Sequence, residues 1–346
     1  MRLTERKKEI LREVVSRFIE SAEPISSQVI SEDGRFDLSS ATIRKEMAEL
    51  EEMGYLTHPY TSAGRIPSDK GYRFFVDNFI KDKIKSLSGS QRALANVSLE
   101  VDKGMELEVI LQKSSEQLAR LTSYLSMIVA PAVYQSRFRH LEILKFDGSN
   151  LLLVLITDTG RVFKRNFTVE GIYNTLDFQS VSNILNQQFR DKNISDVDYS
   201  ILKIPENNSY LIPLIKKIIE IMKSCIQETM IYNRIFIHGA SSVLNQPDFI
   251  DLKKIQKILS IIENEYLLLN LLLNISGDDE LIVKIGSEIF EEGCDDLSLV
   301  ASRYKIYGQS TGAIGVLGPK RMDYYRVIDI IGAFVEGFKQ IFSTKA

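Results

Sequence analysis

The sequence predicts a multidomain α+β protein, with an N-terminal helix-turn-helix that carries a hairpin wing. Three observations predict it. The first 75 residues read as helix, short helix, turn, helix and hairpin. From residue 140, strand-rich stretches are interrupted by long helical ones and then return. At 346 residues, with 44% hydrophobic and 26% charged residues, the chain is long and apolar enough for two or three cores.

The first helix spans Thr4 to Ser21, with Ile10, Leu11, Val14, Val15, Phe18 and Ile19 on one face and Thr4 as cap. Pro24 closes it, and a short helix from Ser26 or Ser27 ends at Gly34. The stretch from Ser39 to Phe75 is the one around which the rest of the chain is organised. Ser39 or Ser40 caps a helix whose Ile43, Met47 and Leu50 form a buried stripe, and Gly54 supplies a left-handed stop. Tyr55–His58 is extended, and Pro59 to Pro67 encloses a hairpin tip. A fourth helix runs from Ser68 to Lys85, and Ser86–Gln91 is small and polar, as linkers are.

The later chain reads as a helix over 99–125, then strands over 140–146, 151–156 and 162–168 separated by turn residues, a meander. Helices over 176–190 and 211–232 come next, then a strand at 235–238 and a helix over 251–274. Strands at 281–285, 297–307 and 312–317 precede a final helix over 323–342. The apolar face of 211–222 suits either its own sheet or a second subunit.

Composition narrows the function. Net charge is −3, and residues 1–85 hold 15 Lys+Arg against 15 Asp+Glu, so any attraction to phosphate rests on how charge is distributed. Tyr60–Phe75 has such an excess: Arg65, Lys70 and Arg73 against Asp69. Two cysteines without a CxxC pattern fit a reducing cytosol. The charged N-terminus has no apolar signal region, and the longest apolar run, Tyr266–Ile275, is far short of the roughly 20 residues that span a bilayer. A cytoplasmic protein is expected. Gly312, Gly315 and Gly318 lack a P-loop Lys-Ser/Thr pair and read as turns beside a strand. Arg321 beside Asp323 is either a functional pair or a charge pair at a helix start. The Glu49, Glu51 and Glu52 cluster reads as a solvated helix end. His58, His140 and His238 share no ligand spacing, and no nucleophile-elbow sequence occurs, so no enzyme, metal or cofactor is expected.

A helix whose first turn carries Ser, Thr, Arg and Lys, followed by a basic hairpin, is the layout that enters a major groove by its N-terminal end. Helix-plus-hairpin units also bind protein partners. For DNA, the candidate contacts are Ser39, Ser40, Thr42, Arg44 and Lys45 on the helix, and Thr61, Ser62, Arg65, Lys70 and Arg73 on and after the hairpin.

LTERKKEILREVVSRFIESAEPISSQ, SSATIRKEMAELEEMGYLTHPYTSAGRIPSDKGYRFFVD and GAIGVLGPKRMDYYRVIDII together resemble the HrcA family of bacterial heat-inducible transcription repressors, along almost the whole chain. The distinctive pieces are SATIR, TSAGRIP and GPKRMD. The chain departs from the family pattern at Lys45, where the family often carries Asn, so Lys45 is expected on phosphate. The resemblance implies a homodimer on double-stranded DNA, at the inverted-repeat operator called CIRCE, with the GroEL chaperonin supporting the active state. It also implies a GAF-like antiparallel sheet domain with an inserted dimerising domain. The expected division is 1–85 for the winged helix-turn-helix and 86–104 for a linker. The GAF-like part then takes 105–191 and 249–346, with the insertion at 192–248. The 140–168 meander and the strands after 281 are expected to share one sheet. A metabolite-sensing winged-helix regulator, with its ligand in the GAF-like part, is the alternative.

Overall fold

A computed structural model describes residues 3–32, 34–60, 63–80, 99–101, 105–132, 136–147, 149–169, 178–204, 206–231, 235–249, 251–273, 281–289, 293–306 and 310–342. Most of the expected linker, the end of the fourth helix, Thr61 and Ser62 lie outside these residues.

The N-terminal unit consists of α1 (Glu5–Ser21), α2 (Ser27–Glu32), α3 (Ser40–Glu52), β1 (Leu56–Thr57), β2 (Ile66–Pro67) and α4 (Asp69–Phe75). α4 continues into a π-helical turn, Val76–Ile80. β1 and β2 pair antiparallel, and Ile25 adds a third rung by bridging Arg65. Two glycines make this closeness possible. A Cβ on Gly64 would meet the Ile25 backbone, and one on Gly71 the Tyr55 carbonyl, each closer than 3.0 Å. Ile10, Leu11, Val14, Val15, Ile30, Ile43, Met47 and Leu50 fill the centre, all nearly inaccessible to solvent. At about 1.5–3 kcal/mol for each large side chain buried, this stripe packing and not helix propensity holds α3 in place.

The central unit is a five-stranded, wholly antiparallel sheet. Its strands are β3 (Leu125–Val129), β7 (Ile235–His238), β8 (Leu281–Ile285), β9 (Leu297–Ile306) and β10 (Ser310–Pro319), in the order β7-β3-β10-β9-β8. α5 (Leu107–Thr122) and α11 (Tyr324–Ile341) cover one face, where Tyr304 stacks at 4.8 Å on Phe338. α10 (Glu265–Leu273) covers the other. Gly312 and Gly315 lie inside β10, not in turns. A Cβ on Gly312 would strike Tyr304, and one on Gly315 would strike Leu272 of α10. The strand thus has room for close neighbours on both faces.

Between β3 and β7 the chain leaves for a separate unit. β4 (Phe138–Asp147), β5 (Asn150–Thr157) and β6 (Val162–Thr168) form the predicted meander, with α6 (Phe178–Phe189) and α7 (Ile212–Ile231) against one face. Its core, from Phe138 to Ile226, is distinct from the large core shared by the winged and central units. This corrects two expectations. The meander does not pair with the strands after 281, and the expected boundary at 192 cuts through the second core, between Phe189 and Ile194. Turn chemistry reveals a meander but not the partner of its edge. The apolar face of α7 also finds its place here: Leu214, Ile215, Ile218, Ile219 and Met222 pack on their own sheet.

Two helix ends differ from expectation. Ser123 takes a left-handed conformation (φ 60°), which stops α5 and puts Leu125 in a strand. The 251–274 segment is two helices, α9 (Leu252–Glu263) and α10, because Asn264 leaves helical geometry and its side chain accepts from Leu267 N at 3.0 Å. Leu244, after Gly239 (φ 88°), ends the short α8 (Ala240–Leu244) that links β7 to this pair. Among the described residues no helix is long and apolar enough to cross a membrane.

Candidate nucleic-acid interface

α3 begins with Ser39 as its cap. The Ser39 hydroxyl accepts from Thr42 N at 3.3 Å and lies 3.0 Å from the Thr42 hydroxyl. Ser40 is 3.0 Å from the Ser27 hydroxyl, which ties the start of α3 to the start of α2. Three of the predicted contacts therefore already serve the turn between the two helices. With Ile43, Met47 and Leu50 turned inward, Ala41, Arg44 and Lys45 face solvent. Among the described residues neither Arg44 nor Lys45 is held in an ion pair.

Of the expected solvated cluster, Glu52 is exposed, whereas Glu49 and Glu51 are held by cationic partners, as is Glu46. Lys7 of α1 lies 2.8 Å from Glu46 and 2.8 Å from Glu49, and Arg6 reaches Glu46 at 3.5 Å. Glu51 pairs with His58 and, at 2.7 Å, with Arg65. The charge-neutral N-terminal segment is thus sorted in space: carboxylates are drawn toward α1 and the wing base, and the cations Arg44 and Lys45 remain at the exposed start of α3.

The Lys7 clamp gives a pH signature. The close contact with Lys7 lowers the Glu49 carboxyl, and the contacts with Glu46 and Glu49 raise the Lys7 ammonium. The carboxylate contribution is fully present above the unfolded value of about 4.3 and is lost as pH falls from there through the lowered folded value. The lysine contribution is present below about 10.4 and is lost as pH rises through the raised folded value. Thermal melts of the wild type and a Lys7→Met variant are expected to differ between these limits and to converge outside them.

The hairpin divides the remaining candidates. Arg65 is anchored through its backbone: Ile25 N donates to Arg65 O at 2.9 Å, and Arg65 N donates to Ile25 O at 2.8 Å. Its guanidinium lies on Glu51 as an ion pair without hydrogen-bond geometry. Arg65 therefore sits immediately before β2, tied to Ile25 and Glu51 and held back from the wing loop. Lys70 donates to Met53 O at 2.7 Å and sits 4.3 Å over the Tyr55 ring, so it caps the C-terminal end of α3. Arg73 faces away from the wing, donating to Glu288 Oε1 at 2.8 Å and to Val283 O at 2.6 Å. The basic excess read over Tyr60–Phe75 is thus largely absorbed by internal partners. Tyr60, 63% exposed in the wing, was not among the predicted contacts. Its aromatic ring between Pro59 and Thr61 was the available signal. No group of three or more His, Cys, Asp or Glu is placed to hold a metal among the described residues.

A helix-turn-helix with an exposed cationic first turn on its third helix, beside a short antiparallel wing, defines a winged-helix transcriptional regulator. Residues 108–328 match the family model for the HrcA protein C-terminal domain. The chain is 38% identical to the heat-inducible transcription repressor HrcA of Natranaerobius thermophilus, over 96% of this chain and 94% of that one. It is 32% identical to the HrcA repressor of Pelotomaculum thermopropionicum, over 99% and 97%. The chain belongs to the HrcA family of heat-inducible transcription repressors. A crystal structure of a hypothetical protein shares its fold over 100% of both chains, with a TM-score of 0.69 at 24% identity.

Proposed function

We propose that the chain represses chaperone operons by binding, as a homodimer, the inverted-repeat CIRCE operator, and that the GroEL chaperonin supports its active state. The observation that carries DNA recognition is the exposed first turn of α3. Arg44 and Lys45 are exposed there and neither is held in an ion pair among the described residues, while the neighbouring carboxylates are drawn back onto Lys7 and Arg6. Arg44 is assigned to a base edge, Lys45 to phosphate, and Ser39, Ser40 and Thr42 to the phosphates beside the helix start. Thr61, Ser62 and Tyr60 make up the wing contact, with Arg65 supporting it.

In this reading the five-stranded unit is the GAF-like one, and the three-stranded unit, inserted between β3 and β7, provides dimerisation. One face of the latter is closed by α6 and α7. On the other, Leu144 and Phe146 are 47% and 62% exposed, and Leu152, Val154, Ile156 and Val162 are half-exposed beside them. An apolar sheet face of this kind suits a second copy related by two-fold symmetry.

The test is a footprint of the full chain on the inverted repeat upstream of a chaperone operon. Protection of both arms, with centres separated by whole helical turns, is expected. Equal binding to operator and to a scrambled duplex of the same length rules the reading out.

A further inference from the structure

The winged and central units meet along a seam built from segments far apart in the chain, among them the distinctive GPKRMD. α4 supplies Asp69, Tyr72 and Arg73. The turn between β10 and α11 supplies Lys320 and Arg321, and the 3-10 turn after β8 supplies Ser287 and Glu288. Asp69 Oδ1 is 2.8 Å from Lys320 Nζ, and Ser287 N donates to Asp69 Oδ2 at 3.3 Å. Arg73 binds both oxygens of Glu288 and the Val283 carbonyl. Arg321, 8% exposed, donates to Asp248 at 2.7 Å and reaches the Ile19 carbonyl near the end of α1 at 3.2 Å. Between these polar links Tyr72 and Tyr324 lie with ring centroids 6.2 Å apart, both nearly inaccessible to solvent. The side chains of the two units form one continuous apolar core.

A winged unit on a loose tether contributes half-site affinity but cannot read the distance between half-sites, because the tether absorbs any change in spacing. A winged unit fixed by a shared core, two ion pairs and a hydrogen bond to α1 transmits its orientation to the rest of the subunit. The two reading helices of a dimer then stand at one separation. We propose that this seam, with Asp69 and Arg73 paired to Lys320 and Glu288, sets the half-site spacing that the protein accepts. The inference rests on the operator-binding reading above and adds specificity-determining residues that do not touch DNA. It reassigns Arg73 from a phosphate contact to a positioning residue.

Full-length wild type, Lys320→Gln and the double variant Arg73→Gln/Lys320→Gln are titrated against duplexes that hold the chaperone-operon inverted repeat. The spacer is natural, or longer or shorter by one, two or five base pairs, and a single half-site duplex serves as reference. For wild type, a spacer change of one or two base pairs is expected to cost about tenfold or more in affinity. For the double variant the profile flattens to within about threefold, with half-site affinity unchanged. Lys320→Gln, the milder change, falls between them, and the charge swap Asp69→Lys/Lys320→Asp restores part of the discrimination. A double variant that keeps the wild-type spacing profile overturns the inference, as does one that loses affinity equally for the half-site and for every spacing. Wild type that binds no inverted repeat at all overturns the operator reading itself, and this inference with it.

Discussion

Arg44→Ala is expected to cost about 1–3 kcal/mol of operator binding and to bring operator and scrambled duplex closer together in affinity. The side chain is exposed near the N-terminal end of α3, beside the buried Ile43 in sequence, so its loss removes a donor fork without opening a cavity. Thermal stability is therefore expected to shift by no more than about 0.5 kcal/mol. Two lysines, one beside Arg44 and one at the far end of α3, serve as contrasts. Lys45→Ala is expected to weaken all sequences alike and to reduce the slope of log affinity against log salt by about 0.9. Lys70→Ala is expected to leave that slope unchanged, because its ammonium already sits on the Met53 carbonyl. Anisotropy titrations across a salt series, on operator and scrambled duplex, measure all three. Undiminished discrimination by Arg44→Ala would show that α3 does not read bases.

Gly71→Ala and Gly332→Ala, the same chemical change in two helices, are expected to act with opposite sign. At Gly71 the added methyl would collide with the Tyr55 carbonyl, in the backbone that leads into β1. Neither partner is the end of a flexible side chain, so α4 and the wing base must part, at a cost of about 1–3 kcal/mol. Operator affinity falls with it. At Gly332, on the exposed side of α11, nothing lies within 4 Å. There alanine raises helix propensity and stabilises by about 0.4–1 kcal/mol. Denaturant midpoints of the two variants on either side of wild type would confirm the pair. A neutral Gly71→Ala would mean that the close approach of α4 to Tyr55 is not required.

The N-terminal unit was legible because its signals are local. The Thr4 and Ser39 caps, the 43–47–50 stripe and the left-handed stop at Gly54 each depend on residues within a few positions. Strand positions were legible for the same reason, from alternation and turn residues. What was not legible depends on partners distant in sequence. The sheet to which 140–168 belongs is decided by packing on α6 and α7. The break at Asn264 was hidden by an apolar pattern that runs on through Tyr266–Leu273. In the candidate interface, Arg44 and Lys45 stand where the pattern placed them. Lys70 and Arg73 are the same residue types in an equally basic stretch, but they are engaged by Met53 and Glu288. Composition counts a cation and cannot say which acceptor it faces.

The seam also has a consequence for the order of assembly during synthesis. Arg73 and Glu288 are 215 positions apart, and Asp69 and Lys320 are 251 apart. At about 5–20 residues per second, the ribosome delivers the second half of each pair more than ten seconds after the first. Throughout that interval α4 exposes Tyr72 and Arg73 with nothing to receive them. The winged unit, first to emerge, is therefore last to be finished. Until the later segments arrive, a nascent or truncated chain leaves this face of α4 uncovered.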